Sequence, residues 1–309
     1  MDLPELFAVD DVIVIDGGMS TALAARGVDL SGELWTARAL RDDPEAVIAA
    51  HLDFLRAGAR VVITASYQSS LEGLRRVGIG DDEARALIAK SVELAAEARK
   101  RFGAERPQAG PVLVAGSVGP FGAMLAQGQE FTGDYGNDVG RDELIAFHRP
   151  RVELLLDAGA DLLAVETMPR VDEAAAVLEA LRERPWGRAW LSFTGRKGRT
   201  AAGDPIEDAA RLADASSQVV AVGVNCTPPG EVADLLGRIR SVTTKPLVAY
   251  PNAGGRWDAV ARAWAPEPRD RFDEDEVRNW LRTGATLVGG CCGIGVQGVA
   301  DVAEFVRHG

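Results

Sequence analysis

Cysteine and histidine are both scarce, at three copies each in 309 residues. Three cysteines, Cys226, Cys291 and Cys292, make no disulfide framework without leaving one over. The histidines, His51, His148 and His308, lie far apart and show no H-x-x-x-H spacing, so the sequence offers no histidine-built metal site. Positive charge is also in deficit. Lys and Arg total 34 against 46 Asp and Glu, a formal net charge of −12. A phosphate-binding surface needs a basic stripe, so nucleic acid and an anionic membrane surface are excluded as partners. No apolar run approaches the ~20 residues of a membrane span. The first ten residues carry Asp2, Glu5 and Asp10 rather than a basic cluster before an apolar stretch. Neither a linker nor a low-complexity tract interrupts the chain. The expectation is a cytoplasmic protein with residues 1–309 in one domain and small molecules as partners.

What is present is an alternation of short apolar runs with amphipathic stretches. The β-branched run Val12–Ile15 ends at Asp16. A helix is expected near Asp43–Ala57, opened by Asp43-Pro44 and closed by Gly58. Strands follow at 60–64, 112–117, 161–165, 189–193, 219–225, 246–250 and 286–289, separated by helices at 82–101, 142–158, 171–182, 206–215, 230–240 and 273–282. A last helix is expected at 296–307. Continuously apolar strands separated by helices read as a buried parallel sheet. Eight such units in this length favour a closed (β/α)₈ barrel over an open doubly wound sheet.

In such a barrel the active site lies at the C-terminal ends of the strands. Those ends are Asp16, Thr64, Ser117, Glu166, Phe193, Asn225-Cys226, Tyr250-Pro251 and Gly290-Cys291-Cys292. All three cysteines therefore fall on one rim, after strands six and eight. Three thiolates can bind Zn²⁺ and leave its fourth tetrahedral position open, the mark of a catalytic site. Adjacent cysteine ligands need a bent backbone, and Gly289-Gly290 and Gly293 flank them. The competing readings are buried cysteines that only pack and a glycine-rich phosphate grip after strand eight. The grip lacks a nearby Lys or Arg.

Gly223-Val224-Asn225-Cys226 together with Gly289-Gly290-Cys291-Cys292-Gly293 resembles the homocysteine S-methyltransferase family. The resemblance runs along nearly the whole chain, through Asp16-Gly17-Gly18, Ser31–Leu40, Ile63–Gln68, Ala115–Phe121, His148–Glu153, Val165-Glu166-Thr167 and Tyr250-Pro251-Asn252. The bacterial and plant S-methylmethionine:homocysteine methyltransferases are the branch it most resembles. It implies zinc on Cys226, Cys291 and Cys292, and methyl transfer from a sulfonium donor to homocysteine, giving methionine. It further implies that Asp16 and Glu166 hold the α-ammonium and that the N–H groups of Gly17 and Gly18 receive the carboxylate. Asn225 is expected to orient its loop or touch substrate. A cationic donor favours aromatic faces, which makes Trp35, Tyr67 and Phe121 candidates. Tyr67, beside Thr64, is preferred. Thr167 stands where betaine-using relatives carry an aromatic residue. The long segment from Gly254 to Phe272 is expected to act as a lid. Rival readings are betaine or S-adenosylmethionine as donor, a selenol as acceptor, a non-catalytic zinc-binding barrel, and a redox protein using the adjacent cysteines.

Overall fold

The computed structural model describes residues 12–30, 35–136, 139–254, 256–258, 263–265 and 269–308, with backbone alone at Trp35 and within 256–265. Eight parallel strands form the sheet: β1 (Ile13–Val14), β2 (Val61–Ile63), β3 (Leu113–Val118), β4 (Leu162–Met168), β5 (Ala189–Phe193), β6 (Val219–Asn225), β7 (Leu247–Tyr250) and β8 (Ala285–Val288). Each pairs with the next in sequence from β2 to β8, and β8 pairs with β1 through Ile13 opposite Leu287. A parallel bridge between Ile15 and Val61 joins β1 to β2 and closes the barrel. Its hydrogen bonds run from Arg60 N–H to the Val14 carbonyl (2.7 Å) and from Asp16 N–H to the Val61 carbonyl (3.0 Å). The open-sheet alternative is thereby excluded.

The strands are apolar throughout because both faces are buried. One face packs on the helices through residues such as Leu163, Val165, Leu191 and Val222. The other fills the barrel, where Trp190 and Tyr250 share the space with Ala115, Ala164 and Ala221. Side chains alternate with period two along a strand. Following the inward set upward gives Leu113-Ala115-Ser117 on β3, Leu162-Ala164-Glu166 on β4, Trp190-Ser192 on β5 and Val248-Tyr250 on β7. The interior thus changes from hydrocarbon to hydroxyl and carboxylate as it nears the C-terminal rim. No helix among the described residues is long and apolar enough to cross a membrane.

The expected helices are present with ends moved by a few residues. Asp43 caps Pro44–Ala57 by accepting the Ala46 N–H at 3.1 Å, and Gly58 ends it at φ 121°. The helix read at 82–101 runs Asp81–Glu105. The sequence reading passed over the short elements of the βα loops: helices Met19–Ala25, Trp35–Asp42, Leu71–Arg76 and Phe121–Leu125, and the 3₁₀ turn Gln129–Phe131. Helices of one or two turns present too few periodic positions to stand out. The expected lid contains an antiparallel pair, Arg256–Asp258 with Ala263–Ala265. Residues 255, 259–262 and 266–268 of that segment, and every side chain from 255 to 268, lie outside the described residues.

Candidate functional site

Cys226 directly follows β6 at φ +47°, a left-handed conformation rare for a residue with a Cβ. Its neighbours hold it there. The Cys226 N–H donates to the Tyr250 carbonyl at 3.2 Å. Its own carbonyl accepts from Asn252 Nδ2 (2.9 Å) and Thr194 Oγ1 (3.3 Å). The other two cysteines follow β8 on a loop tied to two others. Gly290 N–H donates to the Asp16 carbonyl (3.0 Å), Cys291 N–H to Pro251 (2.8 Å), and the Cys292 carbonyl accepts from Ala253 (2.9 Å). Glycine is required at 290, where a Cβ would stand 2.3 Å from Ile294 Cγ2.

These constraints bring the three sulfur atoms within 4.8 Å of one another. Around a tetrahedral ion with Zn–S bonds of about 2.3 Å they would sit about 3.8 Å apart, so the donor set fits after a small contraction. Cys226 is buried, while Cys291 and Cys292 are partly open to a cavity of about 730 Å³. In the metal-free cluster, contact with Cys291 and Cys292, together with burial, pushes the Cys226 thiol up. Cys292 accepts from both neighbours and is held well below the usual thiol range. Three sulfurs in mutual reach form a soft donor set, and a soft cation bound by them would displace their protons.

Asn225 is the keystone of the rim above them. Its Oδ1 accepts from Thr167 N–H (2.6 Å) and Ser192 Oγ (2.8 Å), while Nδ2 donates to Thr167 Oγ1 (2.8 Å) and approaches Cys291 Sγ at 3.9 Å. Ser192 also bonds the Tyr250 hydroxyl (2.6 Å), which accepts from Trp190 Nε1 (2.9 Å). Thr167, held at φ +57°, is a strained β-branched residue fixed by this network.

Glu166 lines the cavity, is buried, and accepts a short hydrogen bond from Ser117 Oγ. Burial and the neighbouring Cys291 push its carboxyl up to about 8. Asp16 is also buried, and burial raises it well above the carboxylate range. Its Oδ2 accepts Ile63 N–H at 2.8 Å, and its Oδ1 has no partner. Asp16 is not itself among the cavity-lining residues; it stands against the wall made by Gly17 and Ile63. Two neighbouring buried carboxyls, one with an orphaned oxygen, point to a cationic ligand group.

Two expectations need correction, those for the Gly18 N–H and Phe121, while the Thr64 hydroxyl is found already engaged. The Gly18 N–H donates to the Ile294 carbonyl at 2.9 Å and is not free for a carboxylate. Gly17 and Gly18 are small for packing reasons, since a Cβ would lie 2.6 Å from the Ile294 carbonyl oxygen or 2.8 Å from that of Cys291. Thr64 lines the cavity, but its hydroxyl accepts Ser117 N–H (2.9 Å) and pairs with Ser66 (2.8 Å). Phe121 turns away from the cavity and packs on Tyr135 and Phe147, with ring centroids 5.3 and 5.0 Å apart. Tyr67 does line the cavity, with its hydroxyl bonded to Thr167, whereas the Trp35 side chain lies outside the described residues.

The sequence reading gave no role to the network under Tyr67. Fully buried Arg151 donates to the carbonyls of Tyr67 (3.1 Å) and Gly119, and from Nη2 to His148 Nδ1 (3.1 Å). Guanidinium has no acceptor, so Nδ1 must accept and the proton sits on Nε2. That proton is donated to Glu173 Oε1 at 2.9 Å. Glu173 also accepts from Phe121 N–H (2.6 Å) and the Tyr135 hydroxyl (2.5 Å). His148, Arg151 and Glu173 thus bind the loops after β2 and β3 into one body. The His148-Arg-Pro-Arg151 motif was visible, but nothing in it indicated Glu173 as its partner.

The family model described as homocysteine S-methyltransferase matches residues 13–306. The chain is 46% identical over 292 residues to the homocysteine S-methyltransferase of Escherichia coli, covering 94% of each chain. It is 41% identical over 314 residues to the selenocysteine methyltransferase of Astragalus bisulcatus, covering 96% of this chain and 93% of that one. Its fold superposes on the metallated form of the E. coli homocysteine methyltransferase MmuM with a TM-score of 0.87 at 42% identity, over 97% of this chain and 98% of that one. With three sulfurs converging above the barrel and a match along almost its whole length, the chain belongs to the homocysteine S-methyltransferase family.

Proposed function

We propose that the protein transfers a methyl group from a sulfonium donor, S-methylmethionine in the first instance, to the sulfur of L-homocysteine, with Zn²⁺ held by Cys226, Cys291 and Cys292. The observation that carries this reading is the sulfur cluster opening onto a cavity whose wall includes a buried carboxyl, with no Lys, Arg or His among its described lining residues. Such a cavity suits a ligand with a thiol at one end and an ammonium at the other.

When bound, the ion supplies the positive charge that keeps the acceptor sulfur as thiolate at neutral pH, where a free thiol with a pKa of about 8.5 is mostly protonated. The chain's own residues do the rest. Glu166 faces the cavity and takes the α-ammonium, surrendering its proton as it does so, and Asp16 adds its charge from behind the Gly17 wall. The carboxylate lies along Gly17 and the first turn of Met19–Ala25, whose N–H groups no helix carbonyl can reach. Asn225 and Thr167 fix the height of the thiolate relative to the donor. Tyr67 presents a polarisable ring to the sulfonium. The sulfur lone pair forms the new S–CH₃ bond, and the electrons of the broken bond return to the donor sulfur, which leaves as a neutral thioether.

Methionine formation from homocysteine and S-methylmethionine tests this reading. S-adenosylmethionine and betaine as alternative donors, and selenocysteine as alternative acceptor, rank the chemistry. Absence of product with every pair would contradict it.

A further inference from the structure

Glu130 is a buried carboxylate for which the reaction as described has no use. It sits in the 3₁₀ turn Gln129–Phe131 and lines the same cavity as the cysteines, yet it belongs to neither the sulfur cluster nor the Glu166 end. It is only 8% exposed, and its Oε2 has no hydrogen-bond partner. No described lining residue is a cation that could compensate it. It shares the cavity wall with Tyr67, the aromatic residue assigned to the donor, and with Cys292. Packing fixes the turn: a Cβ on Gly122 would lie 2.5 Å from the Glu130 nitrogen. A buried carboxylate with an unpartnered oxygen in a ligand cavity is costly unless a ligand brings the missing charge.

We propose that Glu130 is the counter-ion of the methyl donor's sulfonium, and the residue that makes the donor half of the cavity select a cation over a neutral compound of the same shape. This rests on the methyl-transfer reading above. Burial alone pushes Glu130 up to about 7, so it is ready to ionise as the cation arrives. The charge it recognises disappears in the reaction, because the donor sulfur ends as a neutral thioether. Much of that charge is still present at the transition state, so Glu130 holds the bound donor and the transition state to a similar degree, and its effect falls on KM rather than kcat. The same loss of charge weakens the hold on the product and favours its release.

The test uses metal-loaded protein at saturating homocysteine, with S-methylmethionine as donor and its uncharged carbon isostere, 2-amino-5-methylhexanoate, as inhibitor. Wild type should bind the sulfonium at least roughly ten-fold more tightly than the isostere. In Glu130→Gln the donor KM should rise roughly ten- to a hundred-fold, with kcat, the homocysteine KM and the isostere Ki each changed by less than about three-fold. Glu130→Asp, which keeps the charge, should recover part of the donor affinity. A donor KM unchanged in Glu130→Gln overturns the proposal, as does an isostere Ki rising in parallel, which would mean lost shape rather than lost charge. Equal affinity of wild type for donor and isostere overturns it without any variant. A wild type that forms no methionine from any sulfonium donor refutes the parent reading instead.

Discussion

Glu166→Gln should make the metal-free protein more stable at alkaline pH while crippling its use of homocysteine. The carboxyl is buried and pushed up to about 8, chiefly by burial and then by Cys291. In the unfolded chain it titrates near 4.3. A raised carboxyl favours the protonated folded state, so the stability it contributes is complete below the unfolded value. That stability is lost as pH rises towards the folded value. Between pH 5.5 and pH 8 the loss amounts to about 3 kcal/mol at 1.36 kcal/mol per unit. Glutamine keeps the Ser117 contact and cannot ionise. Urea unfolding should therefore show the variant's lead over wild type growing by roughly 1–3 kcal/mol between pH 5.5 and pH 8. Removing a charge-assisted pair with the α-ammonium should also raise the homocysteine KM roughly ten- to a hundred-fold. A variant equally destabilised at both pH values, with an unchanged KM, would refute the electrostatic reasoning.

Asn225→Ala strands the Thr167 N–H and the Ser192 hydroxyl, and should cost about 2–4 kcal/mol in unfolding experiments and lower kcat with little change in either KM. Gly290→Ala forces a Cβ against Ile294 and should displace the Cys291-Cys292 loop, seen as zinc released to a chelating dye faster than from wild type. Arg151→Met removes the donors to Tyr67 and Gly119, and should raise the donor KM while leaving the zinc content intact.

The eight-unit alternation was legible because strands buried on both faces and helices with Asp-Pro starts and Gly stops mark themselves locally. The three cysteines were legible as a site because strand ends of a barrel converge, and the sequence pattern alone assigns Cys226 and Cys291 to such ends. Hydrogen-bond ownership was not legible. That the Gly18 N–H serves Ile294, or that the Thr64 hydroxyl serves Ser117, depends on partners 276 and 53 positions away (294 − 18 and 117 − 64). Glu130 was missed because a lone glutamate in a loop carries no sequence signal until burial and an unpaired oxygen give it one. Phe121 was misplaced for the opposite reason: a rim segment gives an aromatic residue its height on the barrel but not the direction in which it turns.

Zinc content together with methionine formation from homocysteine and S-methylmethionine, for wild type and Cys226→Ala, tests the central claim most directly. The account predicts about one zinc per wild-type chain with activity, and loss of both in the variant. Freshly reduced wild type that holds no zinc yet remains fully active, or a Cys226→Ala variant that keeps both metal and activity, would contradict it.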